Sequence, residues 1–289
     1  MNHPTRAIRG LGDIADRYDS CILDLWGCLH DGIAIYPAAL DALQRLKSAG
    51  KRVVILSNAP RRAREVAVRI AQMGIAPALY DRLYTSGEET WRALSQDGIG
   101  GLKRGRKRLY PIMADRDQAV LEGIDVTIVD DPAEADFILA TGTETGTEEL
   151  ATFDALLSPA VARGVPMVCA NPDLVVHRGG IEEICAGSIA QRYEALGGPV
   201  IWFGKPYPAI YRRILAECDL VPGRLLCVGD ALRTDVAGGA AIGAATLFVA
   251  GGIHHAELLV EGQVDPARLE TLCRKTGVSP DYAIAHLGW

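Results

Sequence analysis

Six side chains that could take part in metal or phosphate chemistry stand where strand-like runs of the sequence end. They are Asp24 in CILDLWG, Ser57 and Asn58 at the end of KRVVILSN, Lys205 after VIWFG, Asp230 after LLCVG, and Asp235 five residues further on. Singly, each has an ordinary explanation, such as a helix cap or a tight turn. In an open parallel sheet, however, ligands bind beyond the carboxyl ends of the strands. Their coincidence at the strand ends of one predicted sheet therefore favours a shared site.

These residue types indicate phosphoryl chemistry. Three clustered aspartates repel one another unless a hard cation lies among them, and oxygen ligands suit Mg²⁺. Lys205 would hold the Asp24 carboxylate and neutralise a bound anion. The Ser57 hydroxyl and the Asn58 amide or backbone can donate to phosphate oxygens. Such a site stabilises charge on a transferring phosphoryl group while a carboxylate attacks, which gives an acyl-phosphate intermediate.

The elements that must position these residues alternate between strand and helix. PAALDALQRLKSAG predicts a helix with Leu40, Leu43 and Leu46 on one face, Pro37 near its start and Gly50 after its end. The strand-like runs are continuously apolar rather than alternating, which is typical of parallel strands covered on both faces. The sequence therefore predicts an α/β fold with a doubly wound parallel sheet.

The middle of the chain repeats the α/β pattern with its own predicted strands, which are RLYPIMA, DVTIVD, ADFILATG and PMVCAN. The residues suited to chemistry lie only on either side of this stretch. We therefore expect a smaller α/β domain inserted into the first one. The predicted boundaries are 1–89 for the first part of the core, 90–198 for the insertion and 199–289 for the second part of the core.

Composition narrows the class of partner. The chain has 289 residues, of which 49% are hydrophobic and 23% charged, as in an ordinary globular protein. A formal charge of −6 and a pI near 5.6 argue against a nucleic-acid partner, because phosphate backbones need a basic surface. The basic run Lys103–Arg108 is the exception, and without interleaved aromatic residues we interpret it as a solvated linker.

The cysteines and the apolar segments indicate the compartment. Seven cysteines occur without a C-x-x-C pair, which predicts buried free thiols in a reducing compartment. MNHPTRAIRG carries no apolar core of a signal peptide. Val236–Ile253 is uncharged, but its glycines favour a packed helix and a buried strand over a membrane span. We therefore expect a cytoplasmic protein with no membrane partner.

The ordered motifs resemble those of a known superfamily. Asp24-Leu25-Trp26-Gly27, Ser57-Asn58, Gly204-Lys205-Pro206 and Gly229-Asp230 with Asp235 resemble the four motifs of the haloacid dehalogenase-like superfamily. The insertion resembles the large α/β cap, of C2 type, in its class IIA branch of 4-nitrophenyl, pyridoxal and phosphoglycolate phosphatases. The phrases TSGEET, NPDLVVHRGG, AGSIAQRYEALGG, FGKPYPAIY and GDALRTDVAGG extend this resemblance over nearly the whole chain.

The resemblance implies a Rossmann-like core and a role for each motif residue. Asp24 would be the nucleophile and would bind Mg²⁺ with the Trp26 backbone carbonyl and Asp230. Asp235 would support the metal, directly or through a ligand. Lys205 would fix nucleophile and phosphate, and Ser57 with Asn58 would hold phosphate oxygens. The implied substrate is a small phosphorylated metabolite, and a homodimer through the cap is expected on the same ground.

Trp26 departs from the pattern. Phosphatases of the superfamily usually carry a second aspartate there, which protonates the leaving alkoxide and then activates water. Loss of a general acid and base costs about 10²–10⁴ in rate. Three interpretations stay open. The first is a phosphatase with a proton donor from elsewhere, and the second is a hydrolase whose leaving group needs no proton, such as an aryl phosphate, an acyl phosphate or a halide. The third is a catalytically weak protein that binds a phosphorylated ligand; a phosphatase ranks first, the binding protein second and a dehalogenase a distant third.

Two regions could supply the missing group. Asp31 lies on the same turn as Trp26 and is a candidate substitute acid or base. The segment NPDLVVHRGG resembles a substrate-facing part of the cap and contains Asn171, Asp173 and His177. A turn stabilised by an Asn or Asp side chain explains this segment equally well.

Overall fold

The computed structural model describes residues 5–97, 107–178 and 181–289. Most of the predicted basic linker, residues 103–106, lies outside these ranges. The described residues form strands β1 Arg6–Ala7, β2 Ser20–Leu23, β3 Arg52–Ser57, β4 Arg82–Thr85, β5 Lys107–Ile112, β6 Val126–Ile128, β7 Phe137–Ala140, β8 Met167–Cys169, β9 Val175–Arg178, β10 Ile181–Ile184, β11 Val200–Trp202, β12 Leu225–Gly229, β13 Ala245–Val249, β14 Leu259–Val260, β15 Gln263–Val264 and β16 Tyr282–Ile284.

The α-helices of the described residues lie mostly between these strands. They are α1 Pro37–Ser48, α2 Ala63–Gln72, α3 Ser86–Arg92, α4 Thr152–Ala162, α5 Ala186–Ala195, α6 Pro208–Cys218, α7 Ala237–Ala241, α8 His255–Leu258 and α9 Pro266–Thr276. None of the described helices is both long enough and apolar enough to cross a membrane.

The chain divides into two compact units. The first unit consists of the described part of Met1–Ser57, together with Ala67–Tyr84 and Lys205–Trp289, and the second consists of Asn58–Val66 and Thr85–Gly204. The second unit thus begins earlier than the predicted insertion 90–198 and extends past it to Gly204. Whether the second unit acts as a cap stays a prediction.

The first unit is built on a seven-stranded sheet in the order β1-β16-β13-β12-β2-β3-β4. All neighbouring pairs from β1 to β3 are parallel. β2 and β12 are completely buried, as their continuous apolar sequences predict. The predicted α/β fold with a parallel sheet is therefore confirmed.

Helix α1 shows how local sequence shapes this unit. Pro37 occupies its first turn, where the missing N–H costs nothing, and Leu43 and Leu46 are buried. Gly50 has a positive φ of 70° just beyond the helix end, where a side chain would be strained. The predicted helix and its stop are both confirmed.

The second unit has its own five-stranded sheet in the order β11-β8-β7-β5-β6, with parallel pairing throughout. α4 and α5 cover one face, where Leu157, Ile189 and Tyr193 are buried in the core. The hairpin β9–β10 is antiparallel and forms a separate two-stranded sheet. The α/β repeat predicted for the middle of the chain is confirmed.

One predicted strand belongs to a different sheet from the one expected. VIWFG was assigned to the same sheet as the other motif strands, but β11 pairs with β8 in the second unit. The prediction that Lys205 follows a strand of the core sheet is therefore wrong. A short apolar run carries no signal that says which of two parallel sheets it joins.

All seven cysteines are buried and free. This confirms the predicted buried thiols. Burial raises the pKa of Cys21 to about 12, which keeps it a protonated, inert thiol.

Candidate active site

Three aspartates meet at the carboxyl edge of the first unit's sheet. Asp24 directly follows β2 and Asp230 directly follows β12, and these strands are parallel neighbours with Leu23 opposite Val228. The Asp24 N–H donates to the Val228 carbonyl at 2.9 Å, so the pairing continues into the loop. Asp24, Asp230 and Asp235 are all buried, and each offers a carboxylate oxygen within 4.8 Å of the others.

Asp235 reaches this cluster from a π-helical turn, Leu232–Val236, that precedes α7. Its Oδ2 accepts the Ala231 N–H at 3.3 Å. A Cβ at Gly229 would lie 2.0 Å from the Asp235 Cγ, so only glycine allows this approach. The glycine before Asp230 is therefore part of the site's construction.

Lys205 joins two of the three carboxylates. Its Nζ donates to Asp24 Oδ1 at 2.6 Å and to Asp235 Oδ1 at 2.7 Å, and the residue is only 3% exposed. Charged hydrogen bonds of this length are among the stronger ones in proteins. Because water is excluded, the ammonium and the carboxylates depend on one another for charge compensation.

Backbone from two loops holds Asp230. The Ile253 N–H donates to its Oδ2 at 2.8 Å. A Cβ at Gly27 would lie 1.9 Å from this oxygen, and one at Gly252 would lie 2.0 Å from it. Burial and the negative charges of Asp24 and Asp235 raise the pKa of Asp230 well above its usual value. The carboxylate is thus fixed in place but short of positive charge.

This donor set fits a hard divalent cation. Three carboxylates face a single lysine, so a net negative charge is left in a buried site. Carboxylate oxygens are the ligands that Mg²⁺ prefers, and its two charges would offset the excess. Asp24, Asp230 and Asp235 could hold the ion, and the Trp26 carbonyl stays a predicted fourth ligand.

Ser57 is the last residue of β3 and is buried. β3 is the parallel neighbour of β2, with Leu23 opposite Ile55, so Ser57 and Asp24 end adjacent strands. The position of Ser57 at the carboxyl edge of the sheet agrees with the sequence prediction. Its role in phosphate binding stays a prediction.

Asn58 belongs to the second unit, where it meets another candidate residue. Its Nδ2 donates to Asp173 Oδ1 at 2.9 Å, and the Asp173 N–H donates to Asn171 Oδ1 at 3.1 Å. A Cβ at Gly204 would lie 2.5 Å from Asn58 Oδ1, which explains the glycine there. The structure thus brings Asn58 together with Asn171 and Asp173, which lie more than a hundred positions away in the sequence.

Trp26 is packed into the turn that follows β2. Its ring centroid lies 5.5 Å from that of His30, at an interplanar angle of 68°. A Cβ at Gly32 would lie 2.4 Å from the tip of the indole, so the ring rests directly on the Gly32 backbone. The indole is therefore held by its neighbours on this turn, at the position where the family resemblance predicts an aspartate.

Neither polar neighbour of Trp26, Asp31 or His30, is in a state to act as a general acid at neutral pH. Asp31 Oδ1 accepts the N–H groups of Ala34 at 2.7 Å and Ile33 at 2.8 Å, and these bonds lower the pKa of Asp31. Burial lowers the pKa of His30 to about 4, and its Nδ1 accepts the Gly32 N–H. At neutral pH Asp31 is ionised and His30 is neutral. An ionised Asp31 could act only as a base, and its role as the substitute acid or base stays a prediction.

His177 lies on β9, at the hairpin of the second unit. Its Nε2 is 3.6 Å from Glu182 Oε2, on the paired position of β10. Its predicted contact with substrate stays a prediction.

Gly252 and Ile253, which hold Asp230 from the loop after β13, were not predicted from the sequence. Gly252 and Ile253 act through a backbone N–H and a missing Cβ, and neither is a chemically distinctive side chain. The available signal was the pair Gly251-Gly252 directly after an apolar run, where β13 ends. Glycine at the carboxyl end of a parallel strand can mark a close backbone approach.

Comparison with known proteins identifies the family. A model described as haloacid dehalogenase-like hydrolase matches residues 21–127, and one described as HAD-hydrolase-like matches residues 202–274. The crystal structure of a hydrolase of the haloacid dehalogenase-like family from Brucella suis 1330 is 31% identical, with a TM-score of 0.82, covering 97% of this chain and 99% of that one. The chain belongs to the haloacid dehalogenase-like hydrolases, as its motifs predicted.

Curated relatives are similar over most of their length. Chronophin of Mus musculus is 29% identical over 265 residues, which cover 88% of this chain and 90% of that protein. The ribonucleotide monophosphatase NagD of Escherichia coli strain K12 is 28% identical over 235 residues, which cover 80% of this chain and 87% of that one. Both matches are long enough to include parts of both compact units.

Proposed function

We propose that this protein is a Mg²⁺-dependent phosphatase that hydrolyses a small phosphorylated metabolite through an aspartyl-phosphate intermediate. The observation that carries the proposal is the buried lysine at 2.6 Å from Asp24 and 2.7 Å from Asp235, beside Asp230. A lysine bonded to two carboxylates, next to a third, gives a carboxylate nucleophile a fixed orientation and a positive neighbour for a transferred anion.

The reaction has two displacements at phosphorus. In the first, an Asp24 carboxylate oxygen forms a bond to phosphorus, the ester P–O bond breaks, and the leaving oxygen takes up a proton. In the second, water attacks the same phosphorus, the bond to Asp24 breaks, and the water loses a proton. Phosphate is released and the Asp24 carboxylate is regenerated.

The chain's own residues supply binding and charge. Lys205 orients Asp24 and compensates phosphoryl oxygens, while Ser57 and Asn58 donate hydrogen bonds to them. The Asn58 side-chain amide donates one N–H to Asp173 in this structure, so a phosphate would use its second N–H, the backbone N–H, or the first N–H in competition with Asp173. Bound Mg²⁺ would supply charge neutralisation at the carboxylates and the phosphoryl group.

The relatives support the substrate class. NagD of Escherichia coli is named a ribonucleotide monophosphatase, that is, an enzyme acting on a small phosphate ester. Its similarity includes most of this chain. We therefore propose a small phosphorylated metabolite as the substrate, and leave its carbon skeleton open because relatives of one fold differ in substrate.

Trp26 predicts a preference for leaving groups that need no strong acid. The indole cannot protonate an oxygen, an ionised Asp31 has no proton to donate, and a neutral His30 is a very weak acid. Departure of a poor leaving group would then depend on a proton from elsewhere, and activity should fall steeply as the leaving-group pKa rises. Aryl and acyl phosphates should react best.

A phosphoryl-ligand-binding protein with weak turnover is the second candidate, and the packed Trp26 indole favours it. Both candidates use the same anion site and differ only in proton transfer. A dehalogenase is disfavoured, because three buried carboxylates around one lysine suit a metal-dependent site better than a metal-free one.

We further propose a cytoplasmic location, supported by seven buried free cysteines, which suit a reducing compartment. A homodimer through the second unit stays a prediction from family resemblance.

A screen of phosphorylated metabolites with Mg²⁺, run beside 4-nitrophenyl phosphate, tests the function. We expect turnover that EDTA abolishes and that Asp24→Asn lacks. Thermal stabilisation by a phosphorylated compound without any turnover would support the binding protein instead. Halide release from a 2-haloacid in EDTA would overturn the proposal.

A further inference from the structure

The segment that follows Ser57 is held by one short stretch of the second unit. Residues 58–62 form the loop between β3 and α2, and residues 85–88 include the first turn of α3. The Ser86 hydroxyl donates to the Asn58 carbonyl at 2.7 Å and lies 3.1 Å from the Ala59 carbonyl. Ser86 is completely buried, so this hydroxyl has no solvent alternative.

The contacts continue residue by residue along the loop. The Gly87 N–H donates to the Ala59 carbonyl at 3.1 Å, and the Thr85 hydroxyl donates to the Arg61 carbonyl at 2.6 Å. A Cβ at Gly87 would lie 2.1 Å from the Pro60 carbonyl oxygen. Only glycine therefore permits this approach, and the loop is held by three of its carbonyls, those of Asn58, Ala59 and Arg61.

Glu88 fixes the far end of the loop. Its carboxylate accepts Arg62 Nε at 2.7 Å and Arg62 Nη2 at 3.2 Å, and it also accepts the Ala63 N–H at 3.2 Å. Burial alone would raise the pKa of Glu88, but these hydrogen bonds outweigh it and lower the pKa. The Arg62 guanidinium also lies 3.6 Å from the centroid of the Trp91 ring.

This arrangement exceeds what a connecting loop needs. Loops are usually the more mobile parts of a fold, whereas this one has its carbonyls, a backbone N–H and a buried arginine all bonded to four consecutive residues. The residue at its start is Asn58, whose carbonyl Ser86 holds. A group that must meet a phosphoryl oxygen at hydrogen-bond distance needs this kind of restraint.

We infer that Ser86 and Glu88 are positioning residues for the phosphate-binding turn Ser57–Asn58, acting through the loop rather than on the substrate. The inference rests on the proposed role of that turn in binding phosphate. Loss of either residue should weaken binding of the phosphoryl group while leaving the carboxylate cluster of the first unit intact. The effect should therefore appear in KM and in inhibition by inorganic phosphate more than in kcat.

Ser86→Ala and Glu88→Gln test this inference, with Thr90→Val as the matched control. Thr90 is also completely buried on α3, but its hydroxyl donates at 2.9 Å to the Ser86 carbonyl, inside the helix. We expect Ser86→Ala and Glu88→Gln to raise KM for 4-nitrophenyl phosphate and the inhibition constant of inorganic phosphate about five- to tenfold, as loss of one or more hydrogen bonds predicts. Ser86→Cys should recover part of the loss.

The control separates positioning from stability. Thr90→Val should lower the melting temperature comparably and leave both constants within about twofold of the wild type, as expected for a hydroxyl that does not reach the loop. If Ser86→Ala does not fold, Glu88→Gln decides the question. Wild-type constants in the folded Ser86 or Glu88 variants would overturn the inference, as would an equal rise in Thr90→Val.

The outcome is distinguishable from failure of the proposed function. If the wild type neither hydrolyses phosphate esters nor binds inorganic phosphate with Mg²⁺, the proposed function is wrong, and this inference is wrong with it. If the wild type does both and the variants match it, only the positioning role is wrong.

Discussion

The carboxylate cluster of the first unit and the Asn58–Asp173 group of the second are built in different ways. The cluster lies directly after neighbouring buried strands, and each of its charges is held by a salt bridge or a backbone N–H. The second group consists of amide and carboxylate side chains from a loop and from the segment before a hairpin. Under the proposed function, we expect the chemical step at the sheet edge and the selection of the ligand at the loops.

Lys205→Met should have the largest effect, because it leaves three buried carboxylates without a cation. We expect a loss of about 3–5 kcal/mol in the free energy of unfolding and a fall in kcat of about 10³-fold. Chemical denaturation and steady-state kinetics measure both.

A matched control for Lys205 exists in the same unit. Lys47 pairs with Asp81 at 2.7 Å, but both side chains are partly exposed. Lys47→Met should cost at most about 1 kcal/mol and leave kcat unchanged. Equal losses of unfolding free energy and of kcat in Lys205→Met and Lys47→Met would contradict a particular role for Lys205 in the buried cluster.

Trp26→Asp should change the selectivity of the reaction. If the missing acid limits turnover, the aspartate should raise kcat for alkyl phosphates by about 10²-fold and change aryl phosphates little. The measurement is the slope of log kcat against leaving-group pKa in both proteins. An unchanged slope would mean that another group already supplies the proton. Removing the contacts of the indole with Gly32 and His30 should also lower the melting temperature, which can be measured on the same samples.

Gly252→Ala should weaken metal binding without removing a ligand. The new Cβ would meet Asp230 Oδ2, so we expect the Mg²⁺ affinity to fall about tenfold, as for other residues that orient metal ligands. The shift in melting temperature with Mg²⁺ concentration gives this affinity without using activity.

Gly223→Ala is the control for that substitution. A Cβ at Gly223 meets nothing within 4 Å, so Mg²⁺ affinity should not change. An identical response of the two variants would contradict the role of the Gly252 loop.

Asp173→Asn should have the smallest effect of these changes. It exchanges the acceptor for Asn58 Nδ2 for an amide, and we expect KM to change about fivefold with little effect on kcat, as for one lost hydrogen bond. Asp154→Asn, at a partly exposed pair with Arg192 in the same unit, should leave KM unaltered. A large fall in kcat for Asp173→Asn would mean that the second group takes part in the chemical step, and the proposed difference in role between the two groups would then be wrong.

The two groups also differ in how far sequence could predict them. Asp24 and Asp230 follow continuous apolar runs, so their place at a parallel sheet edge could be inferred from hydrophobicity alone. Lys205 reaches the same site from a loop after a strand of another sheet, which no local pattern indicates. Lys205 was predicted to belong to the site from its motif, Gly204-Lys205-Pro206, and not from the strand that precedes it.

The contacts that backbone N–H and carbonyl groups make in the site could not be predicted from the sequence. The Ile253 N–H on Asp230 and the Asn58 carbonyl at Ser86 depend on where loops pass, not on residue type. The Asn58–Asp173 bond joins residues more than a hundred positions apart, and single-sequence reasoning has no measure of such distances. Residue types predicted which side chains belong to the site, whereas only the structure shows which of them are hydrogen-bonded to one another.

The most direct test of the account is a rapid acid quench of the wild-type protein during Mg²⁺-dependent turnover of 4-nitrophenyl phosphate, followed by peptide mass spectrometry. We expect one phosphoryl group on the peptide that contains Asp24, absent in Asp24→Asn and in EDTA. A phosphoryl group on another residue, or wild-type turnover by Asp24→Asn, would contradict it.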